Sequence, residues 1–218
     1  MVYDTYVKQV LSGKIYATLR EAILRGEFAP GSALKPQELA SAYGVSLAVV
    51  REALVRLVGD GLADRLVNRG FAVPTPSDQR WQDIAEARRT LEPATLRLAI
   101  ARGDLEWEAR VRAAHHRLVR TPAHQQPGSR QVSHEWSRAH RDFHRTLLEG
   151  SGNTVLLETF ERLWLANELG RQWSTHRAPD RDYITEHRQL EEVTLARDAD
   201  DAAALLERHV SLTAENLL

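Results

Sequence analysis

Four histidines in the second half of the chain are spaced so that they could bind one ion. His140 and His144 stand four residues apart in a segment whose pattern predicts a helix, so both imidazoles project from one face. His187 and His209 flank a predicted turn at Asp198, and each lies eleven residues from it. In an antiparallel helix pair, equal spacing places two residues side by side, here about 16 Å from the turn. The two pairs together predict a metal site of four imidazoles.

Imidazole nitrogen restricts which ions such a site can bind. It suits a divalent transition metal, with zinc or nickel as first candidates and iron or copper as further ones, whereas calcium and magnesium prefer oxygen ligands. Clustered histidines have a second use as a pH switch, because they titrate near neutral pH. The spacing alone leaves both uses open. The other histidines are interpreted as solvated or core residues: His115, His116, His124, His134 and His176.

A metal-dependent hydrolase is the most remote alternative. The segment from His140 to His144 reads His-Arg-Asp-Phe-His, and it lacks the glutamate that follows the first histidine in zinc-protease helices. The sequence also shows no glycine-rich phosphate loop, nucleophile elbow or Ser/His/Asp order. We therefore predict that the protein is not an enzyme, and we assign no catalytic residue.

Helices must position these side chains, since the pattern beyond residue 77 indicates helices and no strands. The predicted helical spans are 78–101, 104–120, 131–149, 154–173, 181–197 and 200–217. Six helices of this length predict an all-α bundle. Two prolines in Pro74–Ser77 indicate a connector before the bundle. The predicted domains are therefore residues 1–76 and 77–218.

The first domain contains the pattern of a helix-turn-helix at Pro36–Leu57. Pro36 can open a first helix, Gly44 permits a tight turn, and Ser46 can cap a second helix. Two short apolar segments around Asn68-Arg69-Gly70 predict a β-hairpin, which after a recognition helix is a wing. The fold class is thus mainly α, with an N-terminal winged helix-turn-helix and a C-terminal all-α six-helix bundle.

The exposed N-terminal end of the second helix is the part that reads DNA bases in such motifs. Arg51 is the charged candidate there, and Arg69 at the wing tip could reach a phosphate or the minor groove. The predicted partner is double-stranded DNA. The predicted DNA-contacting residues are Lys35, Gln37, Ser46, Leu47, Ala48, Val49, Arg51, Arg69 and Gly70.

The amino-acid composition limits which partners and sites this protein can have. The net charge is −1, and residues 1–76 carry nine Lys and Arg against seven Asp and Glu, so phosphate binding must depend on a local patch. The chain has no cysteine, which excludes disulfides and thiolate metal sites. No apolar run approaches the length of a membrane span. We expect a cytoplasmic protein with no membrane partner.

These segments resemble the GntR family of bacterial transcription regulators. The N-terminal resemblance is carried by LREAILRGEFAPGSAL, ELASAYGVSLAVVREALVRLVGDGL and NRGFAV. The C-terminal part is similar to the FCD effector-binding domain of the FadR subfamily, in RRTLEPATLRLAIARGD, FHRTLLEGSGN and EHRQLEEV, and its six helices point to the VanR-like group. The resemblance implies a homodimeric regulator, most often a repressor, that binds a palindromic operator under the control of a small carboxylate.

The resemblance also bears on the histidines. Metal-binding members of that domain use Asp-x-x-x-His on one helix and one histidine on each of the last two helices. This implies metal ligands at His144, His187 and His209, with His140 in the position of the aspartate. An imidazole in place of a carboxylate raises the charge of the site by one unit and favours an anionic ligand.

Effector contacts follow from the resemblance as well. Arg88 matches a position that often anchors a carboxylate, which a guanidinium binds through two parallel hydrogen bonds. Asn153 matches the family's Gly-Asn, although capping of the next helix explains it equally well. Asn167 is a third effector candidate.

Leu47 stands where many relatives have a base-contacting arginine, so the operator sequence cannot be inferred from the operators of those relatives. A pH-sensing or structural-metal regulator without a small-molecule effector is the alternative.

Overall fold

A computed structural model describes residues 2–67, 69–124, 132–173 and 182–215. Its elements divide into two compact units, one of residues 1–77 with Glu168–Gln172 and one of Asp78–Asn167 with the segment from Trp173 onward. The elements in chain order are α1 (Val2–Leu24), β1 (Ala33–Leu34), α2 (Pro36–Tyr43), α3 (Leu47–Gly59), β2 (Asp64–Leu66), β3 (Gly70–Ala72), α4 (Asp78–Arg102), α5 (Leu105–Arg120), α6 (His134–Glu149), α7 (Thr154–Trp173), α8 (Tyr183–Leu195) and α9 (Ala199–Glu215).

Helices α2 and α3 form the predicted helix-turn-helix. Pro36 is at the start of α2, and Gly44 ends that helix with a left-handed φ of 62°. The hydroxyl of Ser46 then caps α3 by accepting from the backbone N–H of Val49 at 3.4 Å. The inward face of α3 is completely buried at Val50, Ala53, Leu54 and Leu57. This packing leaves the opposite face of α3 in solvent.

The wing is part of a three-stranded antiparallel sheet with the order β1-β3-β2. Arg65 pairs with Phe71 in the hairpin, and Ala33 pairs with Ala72 across the other edge of β3. Gly70 has a φ of 86°, the left-handed conformation that a glycine adopts without strain. The first part of the turn, Asn68, lies outside the described residues. The short strand β1 was not expected, because two residues carry no recognisable alternation.

The described residues after the wing form six helices, α4 to α9, as the pattern predicted. Their common core contains Trp107, Phe143 and Phe160, all at most 1% exposed. The helix α4 continues through the buried Pro93. The N-terminal helix-turn-helix, the wing and this bundle confirm the mainly α fold class.

Two polar side chains position the helices that carry the histidines. Ser133 caps α6, since its Oγ accepts from the N–H of Trp136 at 3.1 Å and donates to the carbonyl of Pro122 at 2.6 Å. Arg197 lies between α8 and α9 with a φ of 59°. Its guanidinium donates to the carbonyl oxygens of Ile100 at 2.9 Å and Gly103 at 2.7 Å, which fixes the α8–α9 turn to the end of α4.

Candidate functional site

Four buried imidazoles meet inside the helical bundle. His140 and His144 lie on α6, His187 on α8 and His209 on α9, and each is at most 6% exposed. One ring nitrogen of each can be chosen so that all four atoms lie within 4.8 Å of one another. The Nε2 atoms of His144 and His187 are 3.3 Å apart. The structure thus brings together the four histidines that spacing selected.

Hydrogen bonds fix the orientation of two of these rings. His187 donates through Nδ1 to the backbone carbonyl of Tyr183 at 2.6 Å, because a carbonyl oxygen only accepts. The Nδ1 of His209 lies 2.8 Å from a carboxylate oxygen of Glu186 and donates to it in the same way. A neutral ring with Nδ1–H presents the lone pair of Nε2. Both rings are therefore set to offer Nε2 to the centre of the cluster.

Two tryptophans enclose the cluster. The indole of Trp136 stacks on the ring of His140, with centroids 4.6 Å apart and planes at 25°. Trp164 meets His140 edge-on at 5.0 Å and lies 5.1 Å from His144. Aromatic walls exclude water and lower the local dielectric, which strengthens any electrostatic interaction at the centre.

Arg88 lies behind Trp164, with its guanidinium carbon 5.0 Å from the indole centroid. Arg88 is 2% exposed and Glu92, one turn later on α4, is completely buried. The two side chains form a bidentate ion pair, through Nε at 2.5 Å and Nη2 at 3.2 Å. Arg88 is therefore not a surface arginine, and its charge is balanced within α4. Nε and Nη2 each use one of the five guanidinium N–H groups, and three remain for another acceptor.

The two asparagines occupy different places. Asn153 caps α7, where its side-chain oxygen accepts from the N–H groups of Val155 at 3.1 Å and Leu156 at 3.2 Å. It lies eleven residues before Trp164 on α7, roughly 16 Å along the helix, so it does not join the histidine cluster. The capping role is the one that the structure displays. Asn167 is 5% exposed and follows Trp164 by three residues.

The remaining histidines have ordinary surroundings. His115 is 8% exposed, and its Nδ1 lies 2.5 Å from a carboxylate oxygen of Glu191, whereas its buried Nε2 has no hydrogen-bond partner among the described residues. His116 and His124 are exposed, and His134 is half-buried at the start of α6. His176 lies outside the described residues.

The outer face of the helix-turn-helix presents most of the predicted DNA contacts. Leu47, Ala48 and Arg51 are exposed at the N-terminal end of α3, and Arg69 and Gly70 are exposed on the wing. Lys35, Gln37 and Ser46 are exposed at the N-terminal ends of α2 and α3, with Lys35 in a 2.7 Å ion pair with Glu38.

Val49 is a correction to this set. Its side chain is 3% exposed and belongs to the buried face of α3, so it cannot contact a base. Val49 precedes the buried Ala53 by one helical turn, and the two share a face. The expectation treated the whole first turn of the helix as exposed, although only part of any turn faces outward.

Sequence reasoning missed the groups that surround the four histidines. Glu186, Trp136 and Trp164 carried no motif of their own. One signal was available for Glu186, because it precedes His187 and shares the α8–α9 hairpin with His209. The ion pair of Glu92 with Arg88 could also have been predicted. Glu92 stands four residues after Arg88, and two residues at this spacing lie on one face of a helix. The contacts of the tryptophans depend on packing between helices.

A winged helix-turn-helix joined to a separate bundle of six helices defines a class of two-domain DNA-binding transcription regulators. The chain belongs to the GntR family of bacterial regulatory proteins, whose model matches residues 11–73, and it carries an FCD domain at residues 83–212.

Relatives that match nearly the whole chain are transcription regulators as well. The chain is 36% identical over 203 residues to the uncharacterized HTH-type transcriptional regulator BphR of Paraburkholderia xenovorans, covering 89% of this chain and 80% of that protein. It is 34% identical over 200 residues to the HTH-type transcriptional repressor GlaR of Escherichia coli, covering 89% and 90%. These relatives are regulators rather than enzymes, as the sequence predicted for this protein.

Solved structures share the fold. A putative GntR transcriptional regulator from Rhodococcus sp. RHA1 superimposes with a TM-score of 0.76 at 24% identity, covering 94% of this chain and 96% of that one. E. coli McbR/YncC gives a TM-score of 0.73 at 21% identity, with coverage of 94% and 97%. Within the described part of the chain, every helix is too short or too polar to cross a membrane.

Proposed function

We propose that this protein is a homodimeric, metal-containing repressor of the FadR subfamily that binds a palindromic operator and responds to a small carboxylate. The observation that carries the proposal is the buried cluster of His140, His144, His187 and His209. A regulator needs no buried polar cluster for DNA binding itself. Four imidazoles in a bundle core are costly unless they bind something.

One pair of ring nitrogens has the spacing of a transition-metal site. Zinc–nitrogen bonds of about 2.0–2.1 Å in a tetrahedral site place neighbouring nitrogens roughly 3.3 Å apart. The Nε2 atoms of His144 and His187 are separated by 3.3 Å. The Nδ1 hydrogen bonds to the Tyr183 carbonyl and the Glu186 carboxylate are the outer contacts that metal-bound histidines usually have.

The four imidazole nitrogens restrict which ions the site would bind. Four neutral imidazoles contribute no negative charge, so a divalent ion keeps its full charge of two. Zinc or nickel suits an all-nitrogen site, iron and copper are further candidates, and magnesium and calcium are disfavoured. His140 stands where the resemblance expects an aspartate, and the higher positive charge favours an anion as the additional ligand.

A small carboxylate is the effector that this charge distribution favours. Its oxygen would meet the positive centre, and Arg88 would supply guanidinium N–H groups that Glu92 does not use. Asn167 is the proposed polar neighbour, because it lies one turn after Trp164 on α7. Asn153 is engaged in capping and is left out of the proposed pocket.

The effector would act by population shift. A ligand that binds better in one arrangement of the dimer favours that arrangement, and DNA binding must then change effector affinity by the same factor. In a dimer the two α3 helices would occupy successive major grooves, with half-sites about one helical turn apart. Repression is supported by the 34% identity to GlaR, which is described as a repressor.

Elemental analysis of the purified protein tests the metal site. We expect about one transition-metal ion per chain, lost in the His144→Ala and His187→Ala variants. His116→Ala is the matched control, because His116 is an exposed histidine outside the cluster. Retention of a stoichiometric ion by both cluster variants contradicts the assignment.

A thermal-shift screen of small carboxylates, with and without chelator, tests the effector. Ligands that raise the melting temperature only in the metal-loaded protein support binding at the histidine centre. The alternative regulator, which senses pH through its histidines, makes a different prediction. It releases DNA at acidic pH whether or not a chelator is present.

A further inference from the structure

The recognition helix carries an exposed valine that the predicted set of DNA contacts does not include. Val55 lies in the third turn of α3 and is 54% exposed. Valine is a weaker helix former than lysine or arginine, and at this exposure it buries little apolar surface. Helix formation and core packing therefore do not account for a valine here. Contact with another molecule would remove its apolar surface from water.

Val55 points away from the core of the DNA-binding unit. The inward face of α3 consists of buried residues, which are Val50, Ala53, Leu54 and Leu57. At about 100° of rotation per residue, Val55 lies roughly 150° from the centre of that face. The exposed Ala48 stands seven residues earlier and within about 20° of the same direction. Val55 thus extends the outer face of α3 beyond its first turn.

The charged side chains next to Val55 are held by α1. Glu52 forms an ion pair with Lys8 at 3.8 Å. The guanidinium carbon of Arg56 lies 4.2 Å from the centroid of the Tyr16 ring. Since Lys8 and Tyr16 both belong to α1, these contacts direct the two charges toward that helix. The outward surface in the third turn of α3 is therefore apolar.

The outer row of α3, defined as Ala48, Arg51, Glu52 and Val55, has the spacing of a base-reading helix. Recognition helices in homeodomains read bases with residues at i, i+3, i+4 and i+7, and the outer row repeats these intervals. From Ala48 to Val55 the helix rises about 10 Å, which corresponds to about three base-pair steps of 3.4 Å. The major groove is about 12 Å wide, so both ends of the row can face bases in one groove.

An apolar side chain can recognise one particular feature of the major groove. Phosphates are contacted mainly by basic and polar side chains, and most base edges present hydrogen-bond donors and acceptors. Thymine differs because its C5-methyl group projects into the groove and packs against apolar side chains. The isopropyl group of Val55 has the character that this contact requires.

We propose that Val55 is a specificity-determining residue that packs on the methyl group of a thymine in each half-site. This thymine lies about three base pairs from the base that faces Ala48, and the base read by Arg51 lies between them. The inference rests on the DNA binding in the proposed function, and it adds a contact from the third turn of the recognition helix.

Deletion of single methyl groups from the DNA tests this contact. Duplexes that the wild-type protein selects from a randomised pool supply the operator, and each thymine is then replaced in turn by uracil, which lacks the methyl group. Uracil at the position that faces Val55 should weaken wild-type binding about four-fold, the effect of one buried methyl group. In Val55→Ala that one position should lose its sensitivity to uracil, while the other sensitive positions keep theirs. Fluorescence anisotropy of labelled duplexes measures the affinities.

Val155→Ala is the matched control. Val155 is 65% exposed at the start of α7, in the helical bundle rather than in the DNA-binding unit. This variant removes the same atoms from a similarly exposed helix and should keep every uracil-sensitive position. Circular dichroism shows whether both variants retain the helical content of the wild type.

The outcomes separate this inference from the proposed function. Loss of one uracil-sensitive position in Val55→Ala alone supports the methyl contact. An unchanged uracil profile in Val55→Ala overturns it, and so does a wild-type protein with no sensitive position. An equal loss of affinity for selected and scrambled duplexes also overturns it, because Val55 then reads no base. A wild-type protein that selects no duplex from the pool contradicts the DNA binding itself.

Discussion

His209 donates its Nδ1 hydrogen to the carboxylate of Glu186 across the α8–α9 hairpin, at 2.8 Å. The neighbour of that glutamate is His187, which bonds the carbonyl of Tyr183 through its own Nδ1. One turn of α8 therefore orients two histidines of the cluster, on two helices. A single negative charge beside the cluster also makes the ring of His209 a stronger donor to a cation.

Removal of this carboxylate should weaken metal binding without removing a ligand. We expect Glu186→Ala to lower metal affinity about 10–100-fold, because the ring of His209 loses its orientation. Glu186→Gln keeps an acceptor and loses only the charge, so its effect should be smaller. Competition with a chromogenic chelator measures the affinity. Glu192→Gln removes an exposed charge from the same helix and serves as the control; an equal loss there contradicts the orienting role.

The cluster was predictable from spacing because helices convert sequence intervals into directions. His140 and His144 share a face of α6 whatever packs against it, and the hairpin turn fixes the register of His187 and His209. The fold was predictable for the same reason, since α2 begins at Pro36, α3 and α5 to α9 begin at a capping side chain, and α2 and α6 end at a glycine. Helix periodicity, caps and turns were therefore enough to predict both the histidine cluster and the fold.

The surroundings of the cluster were not predictable in this way. The bidentate pair of Arg88 and Glu92 is buried, and α7 brings Trp164 against Arg88. Val49 was misplaced because the exposed part of the first turn of α3 depends on what the helix packs against. The surroundings of Arg88 and the burial of Val49 depend on contacts between separate elements of the chain. The periodicity of a single segment does not predict such contacts.

Arg51 should carry a large share of operator affinity. Its side chain is exposed at the N-terminal end of α3, where it can reach base edges. We expect Arg51→Ala to weaken operator binding by about 1–3 kcal/mol, which is the contribution of one bidentate base contact. Gel retardation with operator and scrambled DNA measures the change. Loss of affinity for the operator alone fits base readout, whereas an equal loss for both sequences would assign Arg51 to phosphate.

Leu47 should determine which bases are preferred. It is 36% exposed at the first position of α3. We expect it to meet a thymine methyl where an arginine would reach a guanine edge. Leu47→Arg should therefore change the preferred sequence rather than only its affinity. Selection from a randomised DNA pool shows this as a new guanine in each half-site. An unchanged consensus places Leu47 away from the bases.

Tyr16 should make the DNA-binding unit sensitive to alkaline pH. Burial and a 2.5 Å hydrogen bond to Asp60 raise the pKa of its phenol from 10.0 to about 12. The folded state holds this proton more tightly than the unfolded one, so its stabilisation is complete below pH 10 and is lost as pH rises through 12. We expect the free energy of unfolding to fall over this window more in the wild type than in Tyr16→Phe. Parallel curves for the two proteins contradict the linkage.

Arg197 should stabilise the hairpin that carries two of the clustered histidines. Its guanidinium reaches the carbonyls of Ile100 and Gly103 and a carboxylate oxygen of Glu108, so truncation leaves several acceptors without this donor. We expect Arg197→Ala to lower the free energy of unfolding by about 2 kcal/mol. Arg197→Gly loses the same contacts but adopts the φ of 59° without strain, so it should be more stable than the alanine variant by roughly 1 kcal/mol. Urea denaturation of both variants measures the contribution of the hydrogen bonds and that of the backbone conformation separately. Arg188→Ala, at an exposed position of α8, is the control. Equal stability of the alanine and glycine variants would show that the backbone conformation contributes nothing.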